Sequence, residues 1–190
     1  MPPKVKITKE DIIKVSLDLI RESGEATLNA RSIASALVCS TQPIFSNFSS
    51  MEELEEEVLK AAYALYLDFS QKEIQSEKYP PYKASGMAYI RFAKEEKELF
   101  KLLFMRDRTG EDTSTSSDFE ESAQMIMKAN GVDIETARLM HIEMWTCVHG
   151  IGAILATSFL PLDWELISSM LTDVYMGIRE KHITGVSKEN

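Results

Sequence analysis

Between residues 41 and 47 the chain reads TQPIFSN, and Thr41, Gln42, Ser46 and Asn47 are short polar side chains within two helical turns. Hydroxyls and carboxamides on the outer face of a helix suit hydrogen bonding to base edges and to phosphate oxygens. Other chemistry-bearing groups are sparse. His141 and His149 lie eight residues apart, two turns along roughly one helix face, too far for joint chelation. They are candidates for core positions, for the polar lining of a pocket or for metal ligands; the first two readings are favoured and no metal site is expected. Cys39 and Cys147 are the only cysteines, which gives neither a disulfide framework nor zinc spacing. With no Ser/His/Asp or Cys/His arrangement, no glycine-rich phosphate loop and no acid-base partner for the histidines, neither an enzyme nor a cofactor is expected.

The elements that must position residues 41–47 are legible from periodicity. Thr8 followed by Asp11 predicts a capping-box start, after which Ile12, Ile13, Leu17 and Ile20 recur at helical spacing until Gly24 stops the helix. Thr27 is expected to cap a second short helix bearing Ala30, Ile33, Ala34 and Leu37. Ser40 is expected to cap a third, with Pro43 tolerated in its first turn. A packing helix followed by two short helices and a tight turn is a helix-turn-helix. Ala34 must be small where the two helices cross. The turn Val38-Cys39-Ser40 must hand over to a helix whose outer face enters a major groove.

The remainder also reads as helix, with no convincing strand. Ser50 and Glu53 predict a capping box opening a long helix through about Lys78, with Leu54, Val58, Ala61, Ala62, Leu65 and Phe69 as its stripe. Tyr79-Pro80-Pro81 ends it. Segments follow at about 82–94 and 96–106, then a polar loop from Thr109 to Ser117, then a helix near 118–129 stopped by Asn130-Gly131. Two strong helices, about 133–159 and 162–182, part around Pro161. The expected fold is all-α with about nine helices. Residues 1–50 form a three-helix head and residues 51–190 a six-helix body, joined by the helix 51–78.

At 190 residues, 44% hydrophobic and 27% charged, the chain is an ordinary globular sequence. No apolar run approaches the roughly 20 residues that span a bilayer, and the lysine-bearing N-terminus lacks an apolar signal core. A cytoplasmic, bacterial-type protein with reduced thiols and no membrane partner is expected. The net charge of −9 argues at first against a nucleic-acid partner, but it is unevenly spread. Residues 1–50 hold six basic and five acidic side chains, the rest fifteen and twenty-five. Phosphate binding, if present, belongs at the N-terminal end.

The stretch TLNARSIASALVCSTQPIFSNFSSMEEL resembles the DNA-binding segment of the TetR family of bacterial regulators. Thr27, Ile33, Ala34, Ser40, Ile44, Phe45, Phe48, Glu52 and Leu54 occupy positions of that family's pattern, and the likeness covers roughly residues 8–58. Three departures stand out: Val38 replaces the turn glycine, Cys39 the following valine, and Met51 the usual lysine. A β-branched valine resists positive φ, so the turn is expected either to be distorted or to need no left-handed residue. The acids Glu52, Glu53, Glu55, Glu56 and Glu57 complement the helix dipole, and would weaken non-specific binding if they faced DNA. The resemblance implies phosphate contacts from Thr27 and Arg31. It places Thr41, Gln42, Pro43, Phe45, Ser46 and Asn47 toward the groove, Phe45 packing on phosphate, sugar or a thymine methyl. Lys4 and Lys6 would form an N-terminal arm along the backbone or in the minor groove.

Trp145, His149 and Gly150 resemble the Trp-His-Gly segment of one branch of TetR-like C-terminal domains. Paired closing helices doubled by a two-fold axis would make a four-helix interface, through Gly150, Ile154, Ile167, Leu171, Val174 and Ile178. A dimer also suits DNA, since two recognition helices about 34–36 Å apart reach successive major-groove faces of a (pseudo)palindromic operator. Tyr63, Tyr66, Phe92, Phe104, Met105, Met144, Trp145 and His149 are candidates to line an apolar cavity, although most such stripes are simply core. The implied protein is a homodimeric repressor released from double-stranded DNA by a small apolar or amphipathic effector. Two alternatives stay open: a thiol-responsive regulator acting through Cys39 near a helix N-terminus, and a non-DNA interaction module built on a degenerate head.

Overall fold

A computed structural model describes residues 7–109 and 117–184; Lys4, Lys6 and most of the expected 109–117 loop lie outside the described residues. Among the described residues there are nine α-helices and no strand, as the periodicity predicts. They are α1 (Lys9–Ser23), α2 (Ala30–Ala36), α3 (Gln42–Asn47), α4 (Met51–Gln75), α5 (Pro81–Glu95), α6 (Lys97–Phe104), α7 (Ser117–Asn130), α8 (Ile134–Ala156) and α9 (Trp164–Arg179). A short 3-10 turn covers Glu25–Thr27, and a π-helical turn, Glu180–Thr184, follows α9. The chain forms two compact units, one of Met1–Asp68 with Glu95–Arg106 and one of Phe69–Lys94 with Asp107–Asn190.

The first unit contains α1–α3, most of α4, and α6. Its apolar residues sit where the helical period puts them: Ile12 and Ile20 of α1, Ile33 of α2, Ile44 of α3, and Leu54 and Val58 of α4 are fully buried. Leu99 and Phe100 bring α6 into this unit, where it packs on α1. Thr8 caps α1 as expected, its Oγ1 accepting from the Asp11 N–H while Asp11 accepts the Thr8 N–H. Gly24 ends α1 at φ 80, and a Cβ there would meet a Glu98 carboxylate oxygen at 3.2 Å.

Three capping expectations need correction. Asn29, not Thr27, caps α2, its Oδ1 accepting the Ser32 N–H at 3.0 Å. Thr27 lies in the 3-10 turn and donates its hydroxyl to the Gly24 carbonyl. Thr41, not Ser40, is the cap residue of α3 and forms no side-chain capping bond. At α4 the Ser50 Oγ does accept the Glu53 N–H, but the Glu53 carboxylate takes the N–H and hydroxyl of Ser49 instead of returning to Ser50.

The second unit is built on α5, α7, α8 and α9. Ala123 and Ile126 of α7 pack with Ala137 and Met140 of α8, flanked by Tyr82 and Ile178. Gly86 lets α5 approach its neighbours, since a Cβ there would touch Val148 at 3.4 Å and Leu171 at 3.8 Å. Two Tyr–His pairs join α5 to α8: the Tyr82 hydroxyl bonds His141 Nδ1 at 2.9 Å and the Tyr89 hydroxyl bonds His149 Nδ1 at 2.8 Å. Asp133 and Asp163 cap α8 and α9. Helix α8, at 23 residues, is long and apolar enough by length and composition to cross a membrane, contrary to the sequence expectation that no segment approaches that length. Its buried face, Met140, Met144, Val148, Ile151 and Leu155, serves the core of this unit.

Candidate nucleic-acid interface

The helix-turn-helix is set by its turn. The Cys39 N–H reaches back to the Ala34 carbonyl at 2.9 Å and the Val38 N–H to the Ser35 carbonyl at 3.1 Å. That bond pair is the Schellman ending of a helix, whose first residue past the cap is left-handed and most often glycine. Here it is Val38, at φ 53 and 92% exposed. The turn therefore does need a left-handed residue, and a β-branched side chain supplies it at the cost of strain.

Beyond the turn, Ile44 and the following Phe48 anchor α3, both within 2% of complete burial. Gln42, Phe45 and Ser46 are exposed, at the i, i+3 and i+4 spacing of one helical face. Phe45 keeps 52% of its surface in solvent. The Ser46 hydroxyl donates to the Gln42 carbonyl at 2.8 Å, while its oxygen retains acceptor capacity. Thr41 and Pro43 are half-buried and Arg31 is exposed in the first turn of α2. Asn47 is turned inward. Its Nδ2 donates to the Pro43 carbonyl at 2.8 Å and the Ile7 carbonyl at 3.3 Å, so both amide hydrogens are spent within the protein. Those two hydrogens are therefore not offered to a groove, toward which the resemblance places Asn47.

The acids opening α4 are partly absorbed by the fold. Glu53 takes both Ser49 donors and the Lys9 ammonium at 2.9 Å, and these hydrogen bonds, the Ser49 hydroxyl's foremost, hold its pKa down at about 2. Lys9 also sits 4.8 Å over the Phe48 ring. Bonding from Ser50 lowers the Glu52 carboxyl in the same way. Glu57 pairs with Lys60 at 2.7 Å. Cys39 is a half-buried free thiol in the turn.

The effector candidates divide between the units. Tyr63, Tyr66, Phe104 and Met105 belong to the first; Phe92, Met144, Trp145 and His149 belong to the second. Tyr66 stacks edge-on against Phe104, and burial pushes its hydroxyl up to about 12. Phe92 and Met144 are core residues. Met105 and Trp145 are more than two-fifths exposed, so they do not wall an enclosed space. Trp145 lies flat against His149, rings 5.0 Å apart. An open depression of about 290 Å³ is lined by Met176, Arg179, Glu180 and Ile183, none of them a candidate from the sequence. Among the described residues no group of three or more His, Cys, Asp or Glu is placed to hold a metal.

The interface candidates also separate. Ile167 and Leu171 are completely or almost completely buried inside the second unit, and Ile178 packs against its core, so these three do not form an open face. Ile154 and Val174 are half-buried, and Gly150 is exposed with open space where a side chain would be. The exposed apolar residues of α8 and α9 are instead Leu139, Ile142, Trp145, Leu166 and Met176, beside the open Gly177. Their signal was in the sequence. Helix α8 is apolar on both faces, and a helix hydrophobic all round has a second face to cover.

No family model and no curated protein matches the sequence. A solved structure does match in fold. It is described as a TetR family transcriptional regulator protein from Vibrio parahaemolyticus, and the match has a TM-score of 0.63 at 16% identity over 88% of this chain and 96% of that one. The chain shares that protein's all-α architecture.

Proposed function

We propose that the chain is a homodimeric DNA-binding transcriptional regulator. The observation that carries this reading is the exposed, uncharged face of α3, with Gln42, Phe45 and Ser46 presented beyond a Schellman turn and Arg31 exposed on the preceding helix. The fold shared with a TetR family regulator supports it. Phosphate binding falls to Arg31, Lys4 and Lys6. Dimerisation falls to the outer faces of α8 and α9, where Leu139, Ile142, Leu166 and Met176 leave apolar surface in water beside Gly150 and Gly177. Two recognition helices related by a two-fold axis would then read a (pseudo)palindromic operator.

The regulator acts as a repressor in a bacterial cytoplasm, and a small apolar or amphipathic effector lowers its operator affinity by binding one of two conformations better. The test is retention of duplex DNA from a random pool by the full chain and by a Gln42→Ala/Phe45→Ala variant, with mass in solution measured in parallel. The parent retaining a sequence-selected fraction that the variant loses supports the reading. Equal retention by both, or none by either, overturns the assignment of α3, and a monomer at micromolar concentration overturns the dimer.

A further inference from the structure

Resting on that DNA-binding reading, we propose that α3 reads A·T pairs, Gln42 taking adenine and Phe45 taking the thymine methyl group. From Thr41 to Asn47 the chain carries no Lys, Arg, Asp or Glu. Guanine offers two acceptors to the major groove, met best by a cationic fork, and cytosine offers an amino group, met best by a carboxylate. Neither partner exists on this helix. Adenine offers an acceptor beside a donor, and the carboxamide of Gln42 offers the complementary donor and acceptor from an exposed position.

Three residues further on, the Phe45 ring presents apolar surface on the same face, 52% exposed. Of the four bases only thymine carries a methyl group in the major groove, and an apolar ring is the partner it suits. The remaining residues of α3 offer a base no free donor. Ile44 is buried, the Asn47 amide is spent on the Ile7 and Pro43 carbonyls, and the Ser46 hydroxyl proton is spent on the Gln42 carbonyl. Arg31 stands on α2, the helix that crosses the phosphate backbone in this motif, and serves affinity without choosing a base.

The test uses the full chain, duplexes selected from a random pool, and versions of those duplexes with uracil in place of thymine, which removes only the methyl group. The half-site core is expected to be A·T pairs. Uracil at the contacted pair should weaken the parent about fourfold and leave Phe45→Ala, whose melting temperature reports that it is folded, unaffected. Gln42→Ala should lose on the order of tenfold discrimination at one A·T position. G·C pairs at the positions sensitive to residues 42 and 45, or equal uracil effects on parent and Phe45→Ala, overturn the proposal while leaving DNA binding intact. Failure to retain any duplex overturns the DNA-binding reading, and this proposal with it.

Discussion

The Arg21 guanidinium grips the Glu96 carboxylate with two hydrogen bonds, of 2.8 and 3.0 Å, tying the last turn of α1 to the cap of α6 across 75 residues of sequence. Such a fork is stronger than a single ion pair and fixes direction as well as distance. It raises the Arg21 pKa through the Glu96 hydrogen bond, against the cost of partial burial.

Breaking that fork should loosen α6 from α1. Glu96→Gln and Arg21→Lys each keep a side chain of similar size while removing the bidentate geometry. With Arg21 about a third exposed, solvent screening discounts the loss to roughly 1 kcal/mol in urea unfolding. The double variant should cost little more than either single one. Additive losses would show that the two side chains act independently.

Val38 should be a site of stored strain. Val38→Gly removes the penalty of a β-branched residue at φ 53 but adds chain entropy to the unfolded state, for a net gain of about 0.5–1 kcal/mol. Val38→Asn relieves the strain without the entropy cost and should gain at least as much. Melting temperature should rise by about 2–4 °C per kcal/mol in a chain of this size. A fall in both variants would contradict the strain.

Asn47 should matter to stability more than to base choice. Asn47→Ala leaves the Ile7 and Pro43 carbonyls without their donor, at a cost of about 1 kcal/mol. Thermal melting should show the loss, and the selected DNA consensus should match that of the parent. A changed consensus with unchanged stability would return Asn47 to the groove.

His141 should make stability fall between pH 6.5 and about 4. Burial lowers its pKa from 6.5 to about 4, so the folded chain keeps the imidazole neutral where the unfolded chain would protonate it. The unfolded state therefore binds more protons in this window, and stability drops as pH falls, by up to about 1.4 kcal/mol per pH unit. His141→Phe should flatten that slope whatever it does to absolute stability. An imidazole that titrates near 6.5 in the folded protein by NMR would contradict the assignment.

Helix number and most boundaries were legible because α1, α5, α7 and α9 carry one apolar stripe each, bounded by Thr8, Pro81, Asn130-Gly131 and Pro161. Caps were less so. Thr27, Asn29, Ser40 and Thr41 are all competent cap residues within one or two positions of each other, and only the path of the chain decides among them. Along α3, spacing put Gln42 and Ser46 on the outer face and the family resemblance added Phe45, and all three are exposed, but a sequence does not show which way an amide turns. The bond from Asn47 to the Ile7 carbonyl was not legible because that partner is forty residues away. The same limit applied to α8, apolar on both faces, and to α9, where periodicity alone did not say that Ile167 and Leu171 face inward while Leu166 and Met176 face water.

The left-handed valine has a genetic consequence. Every valine codon becomes a glycine codon by one change at its middle base, so relief of the strain at Val38 is a single mutational step away. Under laboratory selection for heat tolerance, that codon should be among the first in this gene to change. If the change also alters which DNA is retained, the exposed valine side chain is part of what the turn presents to its partner.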